Sequence, residues 1–297
     1  TPADDKVRRG VDLFERGHWA DARHELLRAR AEAGDPTTRE KIDYYLAVCA
    51  VELGRPDAET ALLDYEKRHP GSFRANDVRF ARASYYCTAG RYDKALETFE
   101  TTDYRALDAG NRTKYDIRRG YLEFAADRYD EAYRYFERID PRCEYGDHAL
   151  YYKSYIDYTR GDYAKARTGF ERLMQSEAYR ALAPFYLLQL EFRQRNYAYV
   201  LDHGDALIRT ASPRQQRDLL RMMAEAHFHT ENYEKALDYV KAYRQAEGEE
   251  GREIAYIEGF SLYRLACCDA AAEALRRVCG ADDALTQNAA YHLADCY

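Results

Sequence analysis

The sequence predicts an all-α fold of about eight stacked helix-turn-helix units followed by a terminal helix. Three observations predict it. A helical phrase recurs along the chain, as "GRYDKALETFE" from Gly90, "GDYAKARTGFE" from Gly161 and "ENYEKALDYVK" from Glu231. Small side chains return at a nearly constant interval. Strand signals, meaning period-two alternation bounded by turn residues, are absent.

Counting from the aromatic of the phrase gives Trp19, Pro56, Tyr92, Tyr129, Tyr163, Tyr197, Tyr233 and Cys268, spaced by 37, 36, 37, 34, 34, 36 and 35 residues. Three residues later come Ala22, Glu59, Ala95, Ala132, Ala166, Val200, Ala236 and Ala271. Nine residues earlier come Gly10, Ala47, Ala83, Gly120, Ser154, Leu188, Ala224 and Gly259, and Ala294 continues the series. A small residue once per helix pair has a steric cause. It sits where two helices approach most closely, and a larger group there costs about 1–3 kcal/mol in displaced backbone or poor rotamers. A period of this length marks stacked supersecondary units.

The units fall near 1–36, 37–72, 73–109, 110–145, 146–179, 180–213, 214–249 and 250–282, with a partial unit at 283–297. Together they read as a single solenoid domain. In the first unit Val7, Gly10, Val11 and Phe14 form a helical stripe ahead of the turn "RGHWA". The second has Pro56 and Glu59 at signature places and is expected to pack irregularly; His69-Pro70-Gly71 ends its second helix. In the fourth, Gly120 is expected at a helix crossing and Glu123 on the outer side, and Asp140-Pro141 ends the second helix. In the fifth, Tyr151, Ser154, Tyr155 and Tyr158 follow i, i+3, i+4, i+7, and "RGDYA" leads to a second stripe through Ala166, Phe170 and Leu173. Leu188, Val200 and Gly204 make the sixth irregular and mark a bend. The seventh opens on Ser212-Pro213 with Gln215, an N-cap, first-turn proline and capping box. The eighth carries Tyr256, Gly259, Phe260 and Tyr263 before Cys267-Cys268. The last stretch, "YHLADCY", repeats the phrasing of "YYLAVCA" with no helix-stop residue after it, so the protein is expected to continue past Tyr297.

These residues resemble the tetratricopeptide repeat (TPR) family: a small residue at position 8, Gly at 15, an aromatic at 17, Ala at 20 and an aromatic or aliphatic at 24. Ala83, Gly90, Tyr92, Ala95 and Phe99 meet the pattern, as do Ser154, Gly161, Tyr163, Ala166 and Phe170. The likeness runs from Gly10 to Tyr297. It implies a right-handed superhelical array that binds protein segments without catalysis. It also implies that first-helix positions 5, 9 and 12 tend to face the concave groove. On that basis Tyr44, Phe80, Tyr121, Tyr151, Tyr155, Tyr158, Phe185, Phe192 and Tyr256 form an aromatic trough, flanked by Arg118, Lys153, Arg193 and Arg221. Such a trough suits a peptide with acidic or aromatic anchors. The chain departs from the family at first-helix positions 4, 7 and 11, which hold Arg79, Arg82, Asp116, Arg119, Lys153 and Asp157 instead of large apolar residues. A one-residue offset turns a helical face by about 100°, so the face lining the groove is left open. The Tyr-rich style looks like the long exported TPR proteins of Bacteroidetes-type bacteria, which points to a periplasmic or cell-envelope location, with the cytoplasm as the alternative.

Bulk properties narrow the function. The 297 residues are 46% apolar and 33% charged, a composition that can bury a core. A net charge of -7 offers no basic field to recruit nucleic acid. No apolar run approaches the ~20 residues needed to span a bilayer, which argues against direct membrane insertion. A start at Thr1-Pro2 fits a removed signal peptide or a trimmed chain equally. The seven cysteines contain no CxxC pair and read as chemically quiet thiols. Phosphate loops, HExxH, GxSxG and dinucleotide glycine fingerprints are missing, so no enzyme activity and no cofactor is expected. His227 and His229 point about 200° apart on a helix. His292 and Cys296 are spaced to share a metal, as a minor alternative with Cys267 and Cys268, but the reading is no metal. The 29 tyrosines, of which the turn position explains five, are the binding feature. The expected function is a scaffold for protein or peptide ligands, open also to self-association. The alternative is a sensory or docking arm of a larger protein whose effector domain lies beyond residue 297.

Overall fold

The computed structural model describes residues 2–297, with side chains from residue 4 onward. Among the described residues there are 17 α-helices and no strand. They are α1 (Pro2–Glu15), α2 (Trp19–Glu32), α3 (Pro36–Glu52), α4 (Ala58–Arg68), α5 (Ala75–Thr88), α6 (Tyr92–Glu100), α7 (Ala109–Ala125), α8 (Tyr129–Glu137) and α9 (Gly146–Arg160). Then come α10 (Tyr163–Leu173), α11 (Ala183–Arg193), α12 (Tyr197–Ile208), α13 (Pro213–His229), α14 (Tyr233–Gln245), α15 (Arg252–Arg264), α16 (Cys268–Arg276) and α17 (Ala284–Asp295). The chain divides into two compact units, Thr1–Tyr152 and Lys153–Tyr297. Odd-numbered helices are the first helices of the repeats and even-numbered ones the second.

Every hairpin turns by the same device. The residue at repeat position 15 has positive φ in all eight: Gly17, Gly54, Gly90, Asp127, Gly161, Arg195, Glu231 and Ala266. The next residue's N–H then reaches back five residues, as in Arg91 to Tyr86, Asp162 to Asp157 and Cys267 to Leu262, each at 2.9 Å. This is the Schellman closure that satisfies the orphan carbonyls at a helix C-terminus. Half of these positions carry a Cβ in the left-handed region, a conformation costing roughly 1–2 kcal/mol for an L-residue. Arg195→Gly, Glu231→Gly and Ala266→Gly are therefore expected to stabilise by about 0.5–1 kcal/mol each once glycine's unfolded-state entropy is subtracted. A rise in urea midpoint at unchanged slope reads this out. No change in all three would show that the turns relax into other conformers.

The small residues sit at helix crossings, as the period implies. A Cβ on Gly10 would lie 2.8 Å from Leu26, one on Gly120 2.6 Å from Phe136, and one on Gly259 2.7 Å from Leu275. In each case position 8 of the first helix meets position 24 of the second. Ala47, Ala83, Ser154 and Ala224 are buried, and Ala22, Ala95, Ala132, Ala166, Ala236 and Ala271 are fully buried. Ala294 is exposed.

In the sixth repeat the volumes are exchanged. Leu188 and Val200 are fully buried in one cluster with Met222 and Met223. Gly204, at position 24, is covered by Met223, whose Sδ would lie 2.2 Å from a Cβ there. Its hairpin closes like the others, through Asn196 N–H to the Glu191 carbonyl at 2.9 Å. The sixth repeat therefore keeps the turn geometry and redistributes its bulk. In the second repeat Pro56 and Asp57 precede the second helix, which starts at Ala58, two residues later than at the other turns. Ala58 takes the fully buried place and frees Glu59 to accept from Arg91 Nη2 at 2.8 Å and from the Tyr86 hydroxyl at 2.9 Å. The Arg91 contact above all holds the Glu59 carboxyl down at about 2.

The charged residues at positions 4, 7 and 11 lie between helices. Arg82 pairs with Glu66 at 3.0 Å. Asp116 is buried and accepts from the Tyr104 hydroxyl at 2.7 Å. Arg79 donates to the Thr101 carbonyl at 2.9 Å. Asp157 is buried, and burial raises its carboxyl above the usual range. Glu123, expected on the outer side, is instead 3% exposed and held by Arg119, at 3.0 Å, and Arg128. The correction has a simple cause. Position 11 supplies the carbonyl that accepts the Schellman closure, and in this repeat its side chain is turned inward against the start of the second helix, where a carboxylate is tolerated because it is paired.

Candidate functional site

In the first unit the odd-numbered helices α1, α3, α5 and α7 line a groove of about 370 Å³. Its floor is apolar: Phe14 from α1, Trp19 at the following turn, Tyr44, Val48 and Val51 from α3, and Phe80 and Ala81 from α5. The lining also includes Glu52 of α3, Asp77 of α5, and Asn111, Lys114 and Arg118 of α7. In repeat terms, Trp19 at position 17 and Asn111 ahead of position 1 apart, these are first-helix positions 2, 5, 6, 9, 12 and 13. In this unit, then, the face left open by the one-residue offset is the one through 5, 9 and 12, because positions 4, 7 and 11 are occupied in pairing with second helices.

Aromatic contacts build the floor. Phe14 meets Trp19 and Tyr45 edge-on, both at 4.9 Å, and Tyr45 meets Tyr44 at 5.0 Å. Burial, followed by the nearby Asp77 carboxylate, pushes the Tyr44 hydroxyl above its ordinary pKa, so it stays a neutral donor. Asp77 is raised in turn by burial and by Asp108. Arg118 donates to Ser84 Oγ at 2.7 Å and lies 5.9 Å from the Phe80 ring centroid. Among the described residues neither Lys114 nor Arg118 has a carboxylate at ion-pair distance, whereas Arg74, Arg82 and Arg91 in the same unit all do. The groove thus offers an aromatic floor and, from α7, two cations with no carboxylate at ion-pair distance among the described residues. A second depression of about 510 Å³, over α1 and the start of α3, is lined mainly by charged residues including Asp4, Arg8, Asp12 and Glu15, and lacks aromatics.

Of the expected trough residues, Tyr44, Phe80 and Arg118 come together in this groove. Tyr121 and Tyr151 lie elsewhere in the first unit, Tyr121 between Tyr92 at 6.1 Å and Tyr152 at 5.9 Å, and Tyr151 against Tyr152 at 5.2 Å. The others belong to the second unit. There Tyr155 meets Tyr158 at 6.4 Å and Tyr186 at 5.9 Å. Arg193 donates to the Tyr158 hydroxyl at 2.6 Å, and Arg221 lies 5.7 Å from the Phe192 ring and 3.5 Å from Glu225. Tyr256 packs on Phe260 at 5.8 Å, Lys153 is half-buried, and Phe185, 8% exposed, belongs to the core. Phe14, Trp19, Val48, Val51, Asp77 and Lys114 also line the groove and were not among the expected residues. The signal that finds them is their register at positions 2, 9, 12 and 17 in successive repeats.

Much of the tyrosine excess is structural. Five repeats pair an aromatic at position 12 with one at 17 across the turn, from Phe14–Trp19 at 4.9 Å to Phe228–Tyr233 at 6.3 Å. Tyr152 stacks on Phe136 at 5.0 Å and Tyr186 on Phe170 at 4.9 Å, each joining one repeat to the next. Hydroxyls of Tyr65, Tyr86, Tyr104, Tyr239 and Tyr263 donate to Glu40, Glu59, Asp116, Asp205 and Asp295. Tyrosine here fills helix interfaces and closes them with a polar contact, which leucine cannot.

His227 stacks on Tyr239 at 5.2 Å and His229 on Tyr197 at 4.8 Å, so the two rings serve different interfaces. His292 packs edge-on to Phe260 at 4.7 Å. Among the described residues no group of three or more His, Cys, Asp or Glu is placed to hold a metal ion. Burial pushes the Cys49 thiol up to about 12 and Cys87 up to about 11, which makes both unreactive. No helix among the described residues is long and apolar enough to cross a membrane.

Eight left-handed turns at position 15, with position 8 packed on position 24, make this a TPR-like helical-repeat fold. No protein-family model matches the chain, and no curated protein matches it. Among solved structures it is similar to a tetratricopeptide repeat protein from Parabacteroides merdae, at 14% identity and TM-score 0.44, covering 99% of this chain and 98% of that one. It is similar also to the apo form of the quorum sensor NprR from B. thuringiensis, at 15% identity and TM-score 0.45, covering 82% and 75%. A third is the P58(IPK) TPR domain, at 14% identity and TM-score 0.35, covering 100% and 97%.

Proposed function

We propose that the chain is a non-catalytic interaction scaffold whose first unit takes a protein segment in the groove formed by α1, α3, α5 and α7. One observation carries the reading: among the described residues neither Lys114 nor Arg118, which line the aromatic-floored groove, has a carboxylate at ion-pair distance, while other arginines of the unit are ion-paired. A guanidinium beside an apolar floor favours a segment presenting a carboxylate next to an aromatic or aliphatic anchor. Catalysis has no comparable support, since the buried thiols are held protonated and the buried acids are paired or raised.

Selection from a random displayed peptide library on the immobilised chain tests this. Selected peptides should be acidic with a large apolar anchor, and Lys114→Ala with Arg118→Ala should weaken them by about tenfold or more, a loss of at least 1.4 kcal/mol. Binding unchanged by both substitutions would remove the groove from the function.

A further inference from the structure

Glu52 stands where a helix gains nothing from a carboxylate. It is the last residue of α3, exposed, and no basic residue shares that last turn. The partial negative charge of a helix C-terminus disfavours an acid there. Glu15 repeats the arrangement at the end of α1, at the same repeat position 13 and again with no basic residue in the last turn. In the sixth, seventh and eighth repeats position 13 is Arg193, His229 and Arg264, the choice that complements a helix end. Among the described residues neither Glu15 nor Glu52 has a basic group at ion-pair distance, although Asp12, one turn before Glu15, is paired with Arg16 at 3.0 Å. Asp77, the other carboxylate of the groove lining, differs from Glu52. It lies in the first turn of α5, where the helix dipole favours an acid. Folding therefore accounts for Asp77 and leaves Glu52 without a use inside the chain. The groove it lines also suits a cation. Trp19, the single tryptophan of the chain, lines the same groove half-buried and meets Phe14 at 4.9 Å. A carboxylate and an indole face in one groove attract an ammonium or guanidinium by charge and by cation–π contact.

We propose that the segment taken by the groove carries a basic residue as well as an acidic one, the basic residue held at Glu52 and Trp19 and the acidic one at Lys114 and Arg118. This rests on the scaffold reading and adds to it a second charge, opposite in sign, at a set spacing. The three helices concerned follow one another, α3 packing on α5 and α5 on α7. Packed helices lie about 8–10 Å apart, so the two steps from α3 to α7 cover about 16–20 Å. An extended chain advances about 3.3–3.6 Å per residue, which puts the basic and the acidic residue at least about five positions apart. Charges of one sign along the whole segment would set like against like at one end of the groove, so the pairing selects against uniformly acidic partners.

The test selects peptides from a random displayed library on the intact chain and on two variants of it, Glu52→Lys and Lys114→Ala with Arg118→Ala. Peptides selected on the parent should carry Lys or Arg at least about five positions from their acidic residue. Glu52→Lys should remove the basic residue from the selected set and keep the acidic one, and the α7 variant should do the reverse. A peptide selected on the parent should bind Glu52→Gln about threefold more weakly, the size of an exposed ion pair, and should shift the emission of Trp19 in the parent. Asp77→Asn should leave the basic preference in place. Urea unfolding of Glu52→Gln should show no loss of stability, which separates lost binding from lost folding. Selected peptides that are acidic and apolar, depend on Lys114 and Arg118 and lack a basic residue would overturn this inference and leave the scaffold reading standing. A basic residue retained on Glu52→Lys, or Trp19 emission unmoved by a bound peptide, would overturn it as well. Peptides indifferent to Glu52, Lys114 and Arg118 alike would remove both readings.

Discussion

Gly120→Leu is expected to destabilise the protein by about 3 kcal/mol, near the upper end of what overpacking costs. The distance argues for that end. Even a bare Cβ at Gly120 would lie 2.6 Å from Phe136, and Phe136 is fully buried with Tyr152 stacked on it at 5.0 Å. The ring has nowhere to retreat without breaking the contact to the next repeat. Phe136→Ala alone should cost about 3–5 kcal/mol for the cavity it leaves. The double substitution should cost at least about 1 kcal/mol less than the sum, because a leucine at position 8 then fills space vacated at position 24. The sixth repeat already holds that arrangement, with Leu188 at position 8 and Gly204 at position 24. Urea unfolding of the two single variants and the double variant reads out the coupling. Strict additivity would mean that these side chains do not meet.

Glu123→Leu should cost about 2–3 kcal/mol, opposite to what a surface position would show. Glu123 is buried and paired on both sides, by Arg119 at 3.0 Å and by Arg128. Removing the carboxylate leaves the Arg119 side chain, itself only 13% exposed, with only the exposed Glu100 carboxylate at 3.9 Å. Arg128 is about half exposed and returns to water at little cost, which keeps the figure below that for a fully buried pair. Glu123→Gln keeps an acceptor and the packing, so it should cost clearly less than the leucine. Equal losses for the two variants would show that volume, and not charge pairing, holds the site.

The repeat was legible in the sequence because its cause is local in kind. Helix crossings demand a small residue whatever surrounds them, so Gly10, Gly120 and Gly259 announce themselves by spacing. The capping box at Ser212 and Gln215 was legible for the same reason, since both partners lie within one turn of helix. Half of the left-handed turns were not, because Asp127, Arg195, Glu231 and Ala266 carry no glycine signal and are held there by the Schellman bonds of an already formed hairpin. Choosing site residues by aromatic type took in Tyr44 and Phe80, which line the groove, and also Phe185, which packs in a core cluster; Phe80 itself packs in another. Aromatic identity does not distinguish a ring that faces a groove from one that joins two helices.

By itself, then, the amino-acid sequence determined the helical class, the length of the repeat and the positions of closest helix approach, because each follows from periodicity along one or two helices. Only the tertiary structure decided that the first-helix face through positions 5, 9 and 12 lines the groove of the first unit while Arg82, Asp116 and Glu123 turn inward. Inward charge is tolerable only where a partner from another helix neutralises it, and those partners, Glu66, Tyr104, Arg128 and Arg138, come from separate helices and loops that folding brings alongside.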